Sequence, residues 1–161
     1  MPATPIANLA GSSQAAGTRT PQHVMIVGED GSQVIPIAAA SVWTAIHLPA
    51  ANTQATITRA AAGAGIRNVC TGLTVIFAAG ATAPTAINVA VNLIDGASGG
   101  GTYLWRATLS LPATAGAVNG IARQPLWIPG TANTAMTLEF SVAGGANTIE
   151  SVSMEGSTVT A

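Results

Sequence analysis

Between residues 66 and 111 the chain runs IRNVCTGLTVIFAAGATAPTAINVAVNLIDGASGGGTYLWRATLSL, three apolar-alternating runs cut apart by two loops of Gly, Ala, Ser, Thr and Pro. In the middle run Ile87, Val89, Val91 and Leu93 share one parity, and Asn88, Ala90 and Asn92 share the other. A period of two is that of a strand with one face in a core and one toward water or a neighbour. Leu73, Val75 and Phe77 repeat the pattern before this run, and residues 104–111 continue it afterwards. The same rhythm holds from residue 55 to the end and predicts strands at 55–60, 67–78, 86–94, 103–111, 117–122, 125–129, 135–143 and 148–155. The breaks AGAG, AGATAPT, GASGGG, PATAG, PGTANT and GGAN recur at close to the roughly 8–12-residue spacing of sandwiches and barrels. The expected fold is all-β: an antiparallel β-sandwich of jelly-roll or immunoglobulin-like type over residues 55–161, with no long helix.

Upstream, two further segments are expected. Residues 1–37 read as an extended arm followed by a hairpin. Pro2, Pro5 and Pro21 with Gly11 and Gly17 give the arm no periodicity, and its one apolar patch is Pro5-Ile6-Ala7-Asn8-Leu9. The hairpin is His23–Val27 and Gln33–Ile37 around Gly28-Glu29-Asp30-Gly31-Ser32, where Gly31 accepts the positive φ of a tight turn. Residues 38–54, AAASVWTAIHLPAANTQ, fit neither period cleanly; they suit one or two helical turns before Pro49 and are expected to form a linker.

Charge narrows the range of partners. Hydrophobic residues make up 48% of the chain, but charged residues only 7%, against about 25% in an average domain. The five basic residues are all arginine (Arg19, Arg59, Arg67, Arg106, Arg123), and the net charge is −1. No basic face exists to neutralise phosphates, which argues against nucleic acid, and no polybasic segment exists for a membrane surface. A chain with almost no net charge tends to associate, and a surface of Thr, Ser, Asn, Ala and Gly suits life inside an assembly or outside a cell. The start, MPATPIANLAGSSQAAG, lacks the basic and apolar regions of a secretory signal, and no apolar run is long enough to span a membrane. Synthesis in a bacterial cytoplasm fits these features.

Candidate chemistry is sparse. Cys70 is the single cysteine; it excludes an internal disulfide and reads as a small buried hydrophobe. Gly63-Ala64-Gly65 lacks the third glycine of a dinucleotide fingerprint and leads into a strand, and the glycines at 96–101 lack the lysine of a phosphate loop. A hydrolytic triad would have to use His23 or His47, with no G-x-S-x-G elbow to present a serine. The same histidines are too far apart in sequence for a zinc pair. Paired carboxylates could be drawn from Asp95, Glu139, Glu150 and Glu155, but charges on such strands are expected to face water or to pair with Arg59 or Arg106. Trp43, Trp105 and Trp127 are candidate carbohydrate platforms, although a strand tryptophan more often belongs to the core. No catalytic residue, metal site or cofactor is expected.

The phrases Gly65-Ile66-Arg67-Asn68-Val69-Cys70-Thr71-Gly72, Asn92-Leu93-Ile94-Asp95-Gly96, Tyr103-Leu104-Trp105-Arg106 and Leu126-Trp127-Ile128-Pro129-Gly130-Thr131-Ala132-Asn133-Thr134-Ala135 resemble those of small virion proteins of tailed bacteriophages. The hairpin, with Thr20-Pro21-Gln22-His23-Val24 and Glu29-Asp30-Gly31-Ser32, resembles the N-terminal attachment segments of the same class. The resemblance implies a decoration (cement) protein on the outer surface of a capsid, or a head-fibre or tail appendage that binds a host glycan. The absence of a long stalk favours the compact decoration protein. It further implies a homo-oligomer, expected to be a trimer, with the major capsid protein as partner. Ile6, Leu9, Arg19, His23, Val24 and Ile26 are the expected capsid contacts. It brings no catalytic residues.

Overall fold

The computed structural model describes residues 41–161 together with the strand residues Ile26–Val27 and Gln33–Val34. The chain divides into two units, Met1–Ile37 and Ala38–Ala161. In the first, β1 (Ile26–Val27) and β2 (Gln33–Val34) pair antiparallel, with Ile26 opposite Val34 and Val27 opposite Gln33.

The second unit is a β-sandwich. Its strands are β3 (Val42–His47), β4 (Thr56–Arg59), β5 (Ile66–Ala79), β6 (Ile87–Asp95), β7 (Thr102–Leu111), β8 (Val118–Arg123), β9 (Ile128–Pro129), β10 (Met136–Phe140) and β11 (Thr148–Thr160). One sheet has the order β3-β11-β5-β8, with β9 also on β5; the other has the order β4-β10-β6-β7. All pairings are antiparallel. The ribbon β3–β4 thus lies beside the ribbon β10–β11, with one strand of each ribbon in each sheet. This double Greek-key order is that of a jelly roll and decides between the two sandwich types the sequence leaves open.

The alternating pattern becomes the core directly. Leu73, Val75, Phe77 and Ala79 of β5 and Val152 and Met154 of β11 face Val89, Val91 and Leu93 of β6, Leu109 and Leu111 of β7, and Met136, Leu138 and Phe140 of β10. A bulge interrupts the parity of β5. Glu155 pairs with Gly72 but Gly156 pairs with Cys70, which leaves Thr71 as an extra residue and turns both Cys70 and Leu73 inward. Gly156 has a packing reason: a Cβ there would run into the Val69 carbonyl and the Trp43 indole.

The structure corrects several sequence expectations. Val42–His47, expected within a linker, is the edge strand β3 paired along β11 from Val152 to Ser157. Trp43 turns into the core while Val42, Thr44 and Ile46 face outward, so large apolar side chains lie on both faces and blur the period. The strand expected at 125–129 shrinks to Ile128–Pro129. Pro125 and Pro129 cannot donate to a ladder, and the segment is held to β5 by Leu126 N–H on the Thr71 carbonyl (2.8 Å) and Gly130 N–H on the Asn68 carbonyl (2.9 Å). β11 runs on to Thr160, because its Ser/Thr tail pairs with the first half of β5. Among the described residues no helix is long and apolar enough to cross a membrane.

Candidate functional site

Of the expected capsid contacts, Ile6, Leu9, Arg19, His23 and Val24 lie outside the described residues, and Ile26 lies in β1 opposite Val34. The tryptophans have separate fates. Trp43 is a core residue, with the Arg59 guanidinium 5.6 Å above its ring. Trp105 packs against the core from β7, and Trp127 is 66% exposed in the segment before β9. His47 ends β3, where its Nδ1 accepts the Thr56 N–H at 3.1 Å. Cys70 is buried and donates its thiol hydrogen to the Gly72 carbonyl at 3.3 Å. Burial pushes its pKa up to about 11, and the negative charge of Glu155 acts in the same direction.

Of the four carboxylates expected to face water or to pair with Arg59 or Arg106, Asp95, Glu139 and Glu150 accept backbone N–H groups instead. Glu150 points between the sheets and holds the N–H groups of Ala55 (2.8 Å) and Gly144 (2.6 Å). Burial is the chief cause that raises its pKa. Asp95 accepts the Thr131 N–H on both oxygens (3.0 Å each) and the Thr131 hydroxyl, which clamps the loop before β10. Glu139 lies on the outer face of its sheet, Glu150 in the interior and Glu155 on the outer face of the other sheet. They therefore form no acid–base pair of the kind weighed for glycoside hydrolysis. Among the described residues no group of His, Cys, Asp and Glu is placed to hold a metal ion.

A recess opens on the outer face of the sheet β4-β10-β6-β7. Thr137 and Glu139 of β10 point away from the core yet are 0% and 4% exposed. The reason is the β6–β7 loop, which folds back over them. Positive φ at Gly96, Gly99 and Gly101 permits the reversal, and a Cβ at Gly101 would collide with the Asp95 carbonyl. The loop is pinned by the Thr137 hydroxyl on the Gly96 carbonyl (2.8 Å), by Gly99 N–H on Glu139 Oε1 (3.3 Å) and by the Ser98 hydroxyl on Glu139 Oε2. Beside it remains a cavity of about 180 Å³ lined by Asn92, Ile94, Gly99, Gly100, Gly101, Tyr103, Glu139 and Ser141. Strand register brings its polar groups together: Glu139 pairs with Asn92, and Asn92 with Arg106. Asn92 is 2% exposed and its Oδ1 has no hydrogen-bond partner. Tyr103 is 57% exposed at the rim, with the Arg106 guanidinium 5.3 Å from its ring centroid.

The outer face of the other sheet has the opposite character. Val42, Thr44 and Ile46 of β3, Ile149, Ser151 and Ser153 of β11, Thr74, Ile76 and Ala78 of β5, and Val118, Gly120 and Ala122 of β8 share this face by register. Glu155 of β11 and Arg67 at the start of β5 are the charges that register places on this face. Val42, Ile46, Ile76 and Val118 are 80%, 70%, 42% and 68% exposed. Opposite Ile76, Gly120 has no side chain and leaves a shallow hollow that Thr74 and Ala122 flank.

No family model matches the chain, and no curated protein matches it. Among solved structures it is similar to one described as "CBM4 structure and function" (TM-score 0.35, 16% identity, 79% of this chain and 81% of that chain). It is also similar to a structure of infectious bursal disease virus Gx strain (TM-score 0.33, 18% identity, 74% of this chain and 32% of that chain). A third similar structure is the arabinose-bound MgGH51 α-L-arabinofuranosidase (TM-score 0.33, 15% identity, 78% of this chain and 24% of that chain).

Proposed function

We propose that this chain is a non-enzymatic structural protein of a bacteriophage virion, a decoration (cement) protein carried on the outer surface of the capsid as a homotrimer. The observation that supports this reading is the outer face of the sheet β3-β11-β5-β8, broad and nearly uncharged, with Val42, Ile46, Ile76 and Val118 open to solvent. Such a face buries apolar area against a copy of itself without desolvating charge, and exposed apolar patches of this kind mark interaction surfaces. Residues 1–37 attach the trimer to the major capsid protein. Cementing then follows from linkage: a protein that binds only the assembled lattice adds its binding free energy to the cost of separating capsomers.

The test is binding of the purified chain to capsids stripped of it, full length against a chain beginning at Ala38, with the temperature of DNA release as readout. Saturable binding and a higher release temperature, both lost on truncation, support the proposal. A folded protein that ignores capsids but binds host cells favours the head-fibre or tail-appendage adhesin.

A further inference from the structure

We infer that the recess beneath the β6–β7 loop is a binding site for one saccharide residue, held through two adjacent hydroxyl groups. The acceptors come first. Asn92 lines the cavity and is almost fully buried, and its Oδ1 has no partner. A buried acceptor without a donor carries a desolvation cost that a ligand hydroxyl removes. Across the strand pair, each oxygen of Glu139 takes one hydrogen bond from the loop, and a carboxylate has about four lone-pair sites, so it can accept more. Two acceptors on directly paired residues suit two donors on neighbouring carbons, and the Ser141 hydroxyl can donate or accept beside them.

The donors the site wants are neutral. Arg106, paired opposite Asn92, places a positive charge beside the recess that offsets the Glu139 carboxylate in its lining, so no net charge calls for an ionic ligand. Tyr103 offers an exposed ring at the rim, and such a ring packs against the C–H face of a sugar while its hydroxyl stays in water. The volume of about 180 Å³ and the closure of one side by Gly99–Gly101 suit one ring rather than an extended chain. The site is independent of the capsid reading above: it uses the other sheet and none of residues 1–37.

The experiment is an amide NMR titration of the full-length protein with glucose, galactose, mannose and N-acetylglucosamine at millimolar concentrations, and with the 2-deoxy form of whichever binds. The expected result is a saturable shift of the Asn92, Gly99, Gly100 and Gly101 amides with at least one of these sugars. Tyr103→Ala, an exposed change that leaves the fold intact, should weaken binding about tenfold, and Asn92→Ala should abolish it with the remaining spectrum unchanged. Absence of shifts with all of these sugars overturns the inference. So do shifts that map away from the loop, or unchanged affinity in Tyr103→Ala.

Discussion

Phe77 of β5 and Phe140 of β10 meet across the sandwich with ring centroids 5.6 Å apart and planes tilted by 56°. Both are fully buried, and Gly144 leaves room for the Phe77 ring, since a Cβ there would overlap it. The pair joins the two sheets where β10 turns toward β11. Phe140→Ala should lower the unfolding free energy by about 3–5 kcal/mol through lost burial and a residual cavity. A urea titration followed by fluorescence measures this, and a loss well under 1 kcal/mol would contradict the packing described.

Glu150 lies next to that corner and gives stability a pH dependence. Its carboxyl is pushed above the ordinary value of 4.5, chiefly by burial, while the N–H groups of Ala55 and Gly144 oppose the rise. The folded chain therefore holds this proton at pH values where the unfolded chain has released it. The group's contribution is complete below pH 4.5 and is lost as the pH rises through the raised folded value. Glu150→Gln does not titrate. The stability of wild type relative to Glu150→Gln should therefore fall as the pH is raised from below 4.5 to neutrality, as read from urea midpoints across a pH series. A difference that is flat or rises with pH contradicts the assignment.

Cys70 should be silent toward thiol reagents in the folded protein. It is buried, and with its pKa at about 11 almost no thiolate exists near pH 8, so modification must wait for unfolding. Native labelling should be slower than labelling in urea by about 10³-fold or more, in line with the folded-to-unfolded ratio of a stable domain. Rapid labelling of the native chain would show that the bulge at Thr71 opens locally.

Most of the sandwich is legible in the sequence because its strands alternate cleanly. Val89, Val91 and Leu93, or Leu138 and Phe140, can be assigned to a core with no structure in hand. Legibility ends where alternation does. In β3, Trp43 goes inward but Val42 and Ile46 stay outside, and the alanines at 38–40 before them give the sequence the look of a helical segment. At Thr71 the bulge flips the parity, so Cys70 and Leu73 share a face that a strict period of two forbids. The recess is a harder case. The parity of Asn92 and Glu139 marks them as facing away from the core, but their pairing is a matter of register between strands far apart in the chain. Their burial depends on a glycine loop that the sequence shows only as a break. The Glu150 carboxyl, expected in water or paired with an arginine, is instead held inside by the N–H groups of Ala55 and Gly144, and no local pattern announces them.

The nearly uncharged outer face of β3-β11-β5-β8 is proposed as an assembly surface. Sedimentation equilibrium of the full-length protein, beside an Ile46→Lys/Ile76→Lys variant, tests it most directly. Both positions are exposed in a single chain, at 70% and 42%, so the substitutions should leave the fold and its circular dichroism unchanged while placing charge at the contact. The predicted result is a trimer for the wild type and a monomer for the variant. A wild type that stays monomeric at every concentration, or a variant that assembles equally well, would contradict the claim.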